Sequence, residues 1–365
     1  MTGSFNPIDI GEWSELAYLG PTERLFAAIA AQDRGAVQAL VSSGEVDINR
    51  RDHVGRTALQ VAALCSASDI CMDLIDSGAR MTARLADGRT ALHVAAQMDL
   101  SAVIEKMIQR SAQNEEKAKE EEEAKAKAKE ASDDDGNGGE SDIDRPSSDD
   151  DWSSEEEEEG EKPKEKKDEP KNEPDADADI PEDNVDTPDI LDVNLADWDL
   201  AFTPLDYAIA SGSNASLQAL LNGGADPKLV TKAKDYSSQL LHPLSLSILI
   251  ADDAKAEEII DQLIRAGATC AQADENLLSV LHCLVLSGRT RLVEKILRSD
   301  PSAVAALNVP HAGNDMVYPV VSAAAKHFYA IAILLLGYGA KVTITAEDRQ
   351  KVKNMLYVYF RGSLG

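Results

Sequence analysis

Short apolar stretches run through most of the chain in pairs, and the pairs repeat. The segment Arg56-Thr57-Ala58-Leu59-Gln60-Val61-Ala62-Ala63 returns 33 residues on as Arg89-Thr90-Ala91-Leu92-His93-Val94-Ala95-Ala96. Apolar side chains recur three and four apart in both, which predicts a helix with one buried face. A turn carrying Gly55 or Gly88 precedes each copy. A second apolar run follows, closing near Ser77-Gly78-Ala79 and Arg110-Ser111-Ala112. The threonine caps free backbone N–H groups at the helix start. The paired alanines let two helices approach closely, and glycine at the exit supplies a left-handed residue that ends the second helix.

The same frame continues at Thr203-Pro204-Leu205-Asp206, with Leu217–Leu221 and Gly224 behind it. Further copies start at His242-Pro243-Leu244, with Gly267-Ala268 as exit, at Val280–Leu284 with Leu292–Leu297, and at Tyr318-Pro319-Val320 with Ile331–Leu336 and Gly339-Ala340. Proline in a first helical turn sacrifices no hydrogen bond, because its missing N–H has no helical partner. Arg24–Ile29, Ala36–Val41 and Ser43-Gly44 form a degenerate opening copy. One such unit cannot bury its apolar faces alone, so neighbours must stack. The pattern predicts an all-α solenoid of helix-turn-helix units over 20–112 and 190–345, with short turn or hairpin connections. Beyond Thr203 the step stretches to about 37–39 residues, which predicts longer connecting loops there.

Between the third and fourth copies the pattern breaks. Thr90 and Thr203 lie 113 residues apart, one 33-residue step plus roughly 80 more, so a single insert occupies one inter-repeat loop, residues 113–189. Closing a long loop costs only logarithmically more than closing a short one, so the stack can continue around it. Asp192-Val193-Asn194 reads as the exit of the third copy, displaced downstream. Glu115/Lys119, Glu121/Lys125 and Glu123/Lys127 stand four apart with the acid first, the favourable helical order. The second helix of the third unit is therefore expected to run on as a charged helix to about 131. From Ser132 onward, Asp, Glu, Ser, Pro and Gly dominate and predict disorder. Residues 346–365 read as a closing helix and tail. For the N-terminal segment 1–19, with Trp13, two readings stay open: a strap across the first unit, or a disordered tail.

Composition sharpens this picture. Apolar residues make up 43% but aromatics only 4%, so Leu, Ile, Val and Ala must fill the core. The formal charge is −29, of which about −23 falls between 113 and 195. A cationic footprint for nucleic acid is missing, so direct binding to DNA or RNA is not expected. Cys65, Cys71, Cys270 and Cys283 are scattered in apolar runs and read as reduced, buried thiols. The first residues hold no basic and then apolar leader, and no apolar stretch is long enough to span a bilayer. Together these predict a soluble protein, a monomer, in the cytoplasm, the nucleus or both.

The repeating frame resembles the ankyrin repeat family: a turn, the motif T-P-L-H-x-A, two short helices and a G-A-D-x-N exit. The resemblance covers nearly all of 20–112 and 190–345, about seven repeats, and is strongest at Thr57, Thr90 and Thr203. It implies a protein-binding scaffold or adaptor that takes its partner on a concave face built from turn tips and inner-helix ends. Transferred to this sequence, the contact positions are His53, Val54, Arg56, Leu64 and Cys65, then Ala86, Asp87, Arg89, Gln97 and Met98. Arg56 and Arg89, flanked by apolar side chains, have an interface composition. The plainer alternative has them balancing Asp52 and Asp87. Trp198, in the turn with Asp197 and Asp199, is either packed on the array or a binding anchor. The resemblance also implies that His93 and His282 tie neighbouring elements by hydrogen bonds.

The insert admits three uses: a solubilising loop, a docking tail for a basic client such as a histone or ribosomal protein, or a phosphoregulated segment. Ser132, Ser141, Ser147, Ser148, Ser153 and Ser154 each have an acid three residues on, the pattern of an acid-directed kinase. No catalytic constellation, nucleotide loop, cofactor motif or metal-ligand spacing is present in the sequence, so no enzyme activity and no cofactor are expected.

Overall fold

A computed structural model describes residues 20–133, 187–232, 240–272, 279–309 and 318–341. The chain divides into two compact units, Met1–Glu115 with Thr187–Gly365, and Glu116–Asp186. The first holds seven helix pairs among the described residues. These are α1 (Pro21–Ala30) with α2 (Arg34–Ser42), α3 (Ala58–Leu64) with α4 (Ser68–Asp76), and α5 (Ala91–Gln97) with α6 (Ser101–Asp133). After the insert come α7 (Pro204–Ser211) with α8 (Asn214–Asn222). The fifth pair is α9 (Pro243–Leu246), prolonged by a 3-10 turn at Ser247–Leu249, with α10 (Asp253–Arg265). The last two are α11 (Val280–Leu286) with α12 (Thr290–Ser299), to which α13 (Pro301–Ala306) is added, and α14 (Pro319–Ala325) with α15 (Tyr329–Gly337). A two-stranded antiparallel ribbon, β1 (Thr231–Lys232) and β2 (Leu240–Leu241), pairs Thr231 with Leu241 ahead of the fifth pair.

The inner helices start as the sequence predicts at four places. Thr57, Thr90, Thr203 and Ser279 each form a capping box with the residue three positions on, so two orphan backbone donors are satisfied reciprocally. His242 and Tyr318 make no such side-chain cap; proline follows each and begins the helix instead. Each inner helix packs on the next, α1 on α3, α3 on α5, α5 on α7, and so on to α11 on α14. The core they share with the outer helices is one continuous cluster, with Leu59, Leu74, Leu92, Ile104, Leu205 and Leu217 fully buried. Ion pairs stitch outer helices of neighbouring repeats: Arg34 to Asp73 at 2.6 Å, Lys106 to Asp76 at 2.6 Å, and Lys295 to Asp261 at 2.7 Å.

In six of the seven repeats the turn between the two helices holds one left-handed residue; the turn of repeat five, at 250–252, holds none. Gly212 and Gly288 supply it in repeats four and six, but Gln32, Ser66, Asp99 and His327 adopt it elsewhere, with φ between 54° and 63°. Two of these side chains earn their place by bridging repeats: Gln32 Nε2 donates to Cys65 O at 2.7 Å, and Asp99 Oδ1 accepts from Ser216 N at 3.2 Å and Ser216 Oγ at 3.0 Å.

At the outer-helix exit Gly78 and Gly224 are left-handed, with φ of 89° and 92°. The equivalent of Gly78 one step later is Ser111, and there the helix does not stop: α6 continues through Ser132 to Asp133, just past the start of the stretch expected to be disordered. Side chains 119–125 of this extension are exposed. Residues 134–186 fall outside the described part, as do the N-terminal segment 1–19 and the expected closing helix from 346. Ser111 itself is buried, and its Oγ accepts from Leu191 N at 2.7 Å. Asn114 Nδ2 donates to Asp189 O at 2.9 Å, and the Asp189 carboxylate accepts from Met81 N and Thr82 N at 2.9 Å each. Both ends of the insert are thus hydrogen-bonded near the same repeat. Asn194 Oδ1 accepts from Asp226 N at 2.8 Å, as Asn49 does from Arg80 N at 2.7 Å and Asn308 from Lys341 N at 2.7 Å. Asn194 therefore occupies a repeat exit, where the displaced motif places it.

The long steps after Thr203 differ from the expectation of longer loops. Among the described residues the step into repeat five lengthens the connection, with the ribbon. In repeat five the extra residues lengthen the outer helix, 13 residues in α10 against nine in α4. In repeat six they form α13, capped by Asp300, with Pro301 at its first position.

Candidate functional site

The sequence-derived contact residues fall into two groups, each built around a turn with an ion pair. In the turn before α3, Asp52 Oδ1 accepts from the backbone N–H of Val54 and of Arg56, each at 2.9 Å. Arg56 Nε donates to Asp52 Oδ2 at 2.9 Å, and its Nη2 lies 2.8 Å from the same oxygen. Burial alone would raise the Asp52 carboxyl, but the bonds from Arg56 and Val54 outweigh it and hold the group below its usual range. The Asp52 side chain is only 7% exposed, whereas Arg56 is a third exposed. This arrangement fixes the turn tip and leaves His53 and Val54 outside, Val54 at 56% exposure. An open cleft of about 630 Å³ lies beside them, lined by His53, Arg56 and Arg50 from the turn and by Thr22, Glu23 and Phe26 from α1. The walls from α1 were not legible in the sequence, because the first repeat keeps so few motif letters.

The second group surrounds the turn before α5. Arg89 Nε donates to Asp87 Oδ2 at 2.7 Å, Arg89 N to Asp87 Oδ1 at 3.0 Å, and Arg89 Nη1 to Gln97 Oε1 at 3.0 Å. The guanidinium stands 5.8 Å from the ring centre of Tyr207, whose hydroxyl donates to Asp197 Oδ2 at 2.6 Å. Burial, and then that carboxylate, push the Tyr207 phenol up. Trp198 closes this group. Its backbone N–H donates to Asp87 O at 2.9 Å, and the Arg84 guanidinium lies 5.3 Å from its ring centre. Gly88 has φ of 86°, and a Cβ there would sit 2.6 Å from Trp198 Cγ, so only glycine lets the tryptophan and this turn meet. The indole thus packs against this turn, and the residue is half-buried rather than enclosed.

The structure thus brings Asp87, Arg89, Gln97 and Trp198 together with Asp197, the turn residue named beside Trp198, and adds Tyr207 and Arg84 as members that the motif did not single out. It places His53, Val54 and Arg56 in the neighbouring turn. Both arginines form the ion pairs foreseen in the plainer reading. Leu64 is half-buried and packs against the core, and Met98 is exposed at the end of α5. Seven residues after the helix start, where Leu64 and Gln97 stand, repeats five and six carry Leu249 and Leu286, at 56% and 42% exposure. These extend the apolar positions along the inner-helix ends.

His93 ties the third repeat to the turn of the fourth. Its Nδ1 accepts from Thr90 N at 3.1 Å, so the proton sits on Nε2, which donates to Leu195 O at 3.0 Å. Burial pushes this imidazole down to about 4. Cys71 and Cys270 are buried thiols, and Cys65 and Cys283 are half-buried. Burial pushes Cys71 up to about 12, which leaves it unreactive. Among the described residues no group of His, Cys, Asp and Glu could hold a metal ion, and no helix is long and apolar enough to cross a membrane.

Comparisons with known proteins bear on the repeats. The sequence pattern of the ankyrin repeat family matches residues 25–118, in three copies. No curated protein matches the chain. Among solved structures, the ankyrin repeat domain of Bcl-3, a member of the IkappaB protein family, superposes with a TM-score of 0.52 at 17% identity, over 85% of this chain and 97% of that one. A second ankyrin repeat protein superposes with a TM-score of 0.48 at 14% identity, over 76% of this chain and 97% of that one. The first likeness concerns the fold, and ankyrin arrays in general are protein–protein interaction modules. Residues 25–118 thus carry the sequence pattern of ankyrin repeats, and the chain has the fold of an ankyrin repeat domain.

Proposed function

We propose that the chain is a scaffold or adaptor that captures a partner protein on the face made by its turn tips and inner-helix ends. The observation that carries this reading is the pairing of rigid turns with exposed apolar side chains. Asp52–Arg56 and Asp87–Arg89 hold two successive tips in place, and Val54 and Met98 stand exposed beside them. A preformed surface of this kind loses little conformational entropy on binding, and apolar side chains flanked by arginine suit a desolvated contact. His53, Val54, Arg56, Leu64, Asp87, Arg89, Gln97, Met98 and Trp198 are the contact residues of this reading.

The pairing also dictates the test. Reversing Arg56 and Arg89 would place new acids beside Asp52 and Asp87 and disturb the turns themselves. Val54→Asp with Met98→Glu alters only exposed side chains. Affinity capture followed by mass spectrometry on the full chain should lose its main partners at least about tenfold in this double variant, with the melting temperature unchanged. Undiminished capture by a well-folded double variant would overturn the assignment.

A second reading rests on charge: about −23 is concentrated between residues 113 and 195. In it the insert escorts a basic client, and phosphate on Ser132, Ser141, Ser147, Ser148, Ser153 and Ser154 would deepen the field by about −1.5 to −2 charges each. Ser132 lies in the last turn of α6; the other five fall outside the described residues. Deleting the insert separates the readings, because scaffold partners persist and basic clients vanish. Phosphopeptide maps with these serines uniformly bare would remove the kinase part.

A further inference from the structure

Four inner helices carry a buried polar side chain three residues after the cap: Gln60, His93, Asp206 and His282. In the first two this side chain works at both ends. Gln60 Oε1 accepts from Thr57 N at 2.8 Å while Nε2 donates to Ala83 O, in the following turn, at 2.8 Å. His93 does the same with Thr90 N and Leu195 O. Each thereby ties its repeat to the turn of the next one. Asp206 makes only the first connection. Its Oδ2 accepts from Thr203 N at 2.9 Å and Thr203 Oγ1 at 2.8 Å. Its Oδ1 is buried and has no hydrogen-bond partner. Thr231 Oγ1, in the turn that follows repeat four, is likewise buried without a partner.

A carboxylate can only accept, so it cannot make the donating half of this tie; a carboxylic acid can. We infer that Asp206 completes the tie between repeats four and five only when Oδ1 carries a proton, so that this joint tightens in mild acid and loosens at neutral pH. The proton comes from solvent and is held on Oδ1, which then donates to an oxygen of the following turn as Gln60 and His93 do. Burial is the main force raising the Asp206 carboxyl, to about 6, with the bonds from Thr203 opposing and the Asp197 charge adding to it. Asp197 is committed to Tyr207, and the Arg89 guanidinium lies 5.8 Å from the centre of that ring. His93 faces α7 from α5, and its ring stands 5.8 Å from that of Tyr207. His242, buried at the start of α9, is the titratable group on the next inner helix. A raised carboxyl stabilises the fold below its ordinary pKa, and that contribution fades as pH rises through the raised value.

The test uses the full chain with the Asp206 side chain observed directly. Carbon-detected NMR should give a carboxyl midpoint near 6. Hydrogen exchange, corrected for intrinsic rates, should show the amides of α9 losing protection, by about ten- to a hundredfold relative to Asp206→Asn, between about pH 5 and pH 7.5. Asp206→Asn keeps an acceptor for Thr203 and a permanent donor for the next turn, so its protection should stay high throughout. His242→Gln should retain the pH dependence. A carboxyl midpoint below about 5, an Asn variant that tracks the wild type, or loss of the effect in His242→Gln would each overturn the inference. Should the variants fail to fold, the carboxyl midpoint of the wild type decides alone.

Discussion

In repeats two and three the side chain three residues after the cap, Gln60 or His93, ties its repeat to the next, and residue chemistry at that position gives the joint its response to pH. His93 is neutral in the fold because burial pushes its imidazole down to about 4, against an ordinary value of 6.5. A histidine whose folded value is depressed lends full stability above its unfolded value and loses it as pH falls toward the folded one. Acidification from about 6.5 toward 4 should therefore cost about 3 kcal/mol at this site, opposite in sign to the contribution of Asp206. Gln60 shows that glutamine makes both bonds without titrating. His93→Gln should leave stability at neutral pH within about 1 kcal/mol of the wild type and abolish most of the acid loss. Urea unfolding at about pH 7 and pH 4.5 checks this; an unchanged acid loss in the variant would assign it to other groups. The motif made His93's structural role legible from sequence. The missing donor of Asp206 was not, since nothing in the letters T-P-L-D says whether an oxygen is buried or paired.

At the scale of single elements, sequence signals succeeded where they are local. Thr57, Thr90 and Thr203 announce helix starts because a cap needs only its own side chain and the next turn. The acid-first pairs Glu115/Lys119, Glu121/Lys125 and Glu123/Lys127 announce that α6 continues. Lengths failed where they depend on packing: no local signal assigns the surplus residues of repeat five to α10 rather than to a loop. The added helix α13 is an intermediate case. Asp300-Pro301 is a start signal, and the structure uses it fully. Asp300 Oδ1 accepts from Ser302 N at 2.8 Å, while Oδ2 accepts from Ser302 Oγ at 2.6 Å and from Cys270 N at 2.7 Å. The last bond reaches back to the preceding repeat. Asp300→Ala removes a cap worth about 1 kcal/mol and strands a buried N–H, for a total loss of about 2–3 kcal/mol. Asp300→Asn should lose about half of that. Denaturant midpoints for the two variants would test the ranking, and equal midpoints would mean that the bond to Cys270 contributes nothing.

For the whole molecule, the joint between repeats three and four matters most. The 113-residue step from Thr90 to Thr203 is read from sequence as one repeat plus an insert, and α5 packs directly on α7. What the sequence did not reveal is where the insert can be cut. Asp189, Leu191 and Thr187 are bonded to the third repeat and its neighbour, and α6 extends roughly 28 Å from Asn114 to its end at Asp133 by its rise per residue. Joining residue 131 to residue 189 would pull these stems apart. Removing 117–185 and closing the gap with a short Gly/Ser linker should preserve them. This variant should keep one cooperative transition and melt within about 5 °C of the wild type. Early separate melting of residues 187–341, followed by hydrogen exchange, would show that the insert supports the array after all.

Because α5 packs directly on α7, covalent continuity at this point should be dispensable to the fold. A single protease cut inside the insert turns the chain into two polypeptides that hold each other as subunits do. The break would show on a denaturing gel and go unnoticed in gel filtration. The partner capture proposed for the turns before α3 and α5 should survive it, with the acidic segment divided between the two halves of the array.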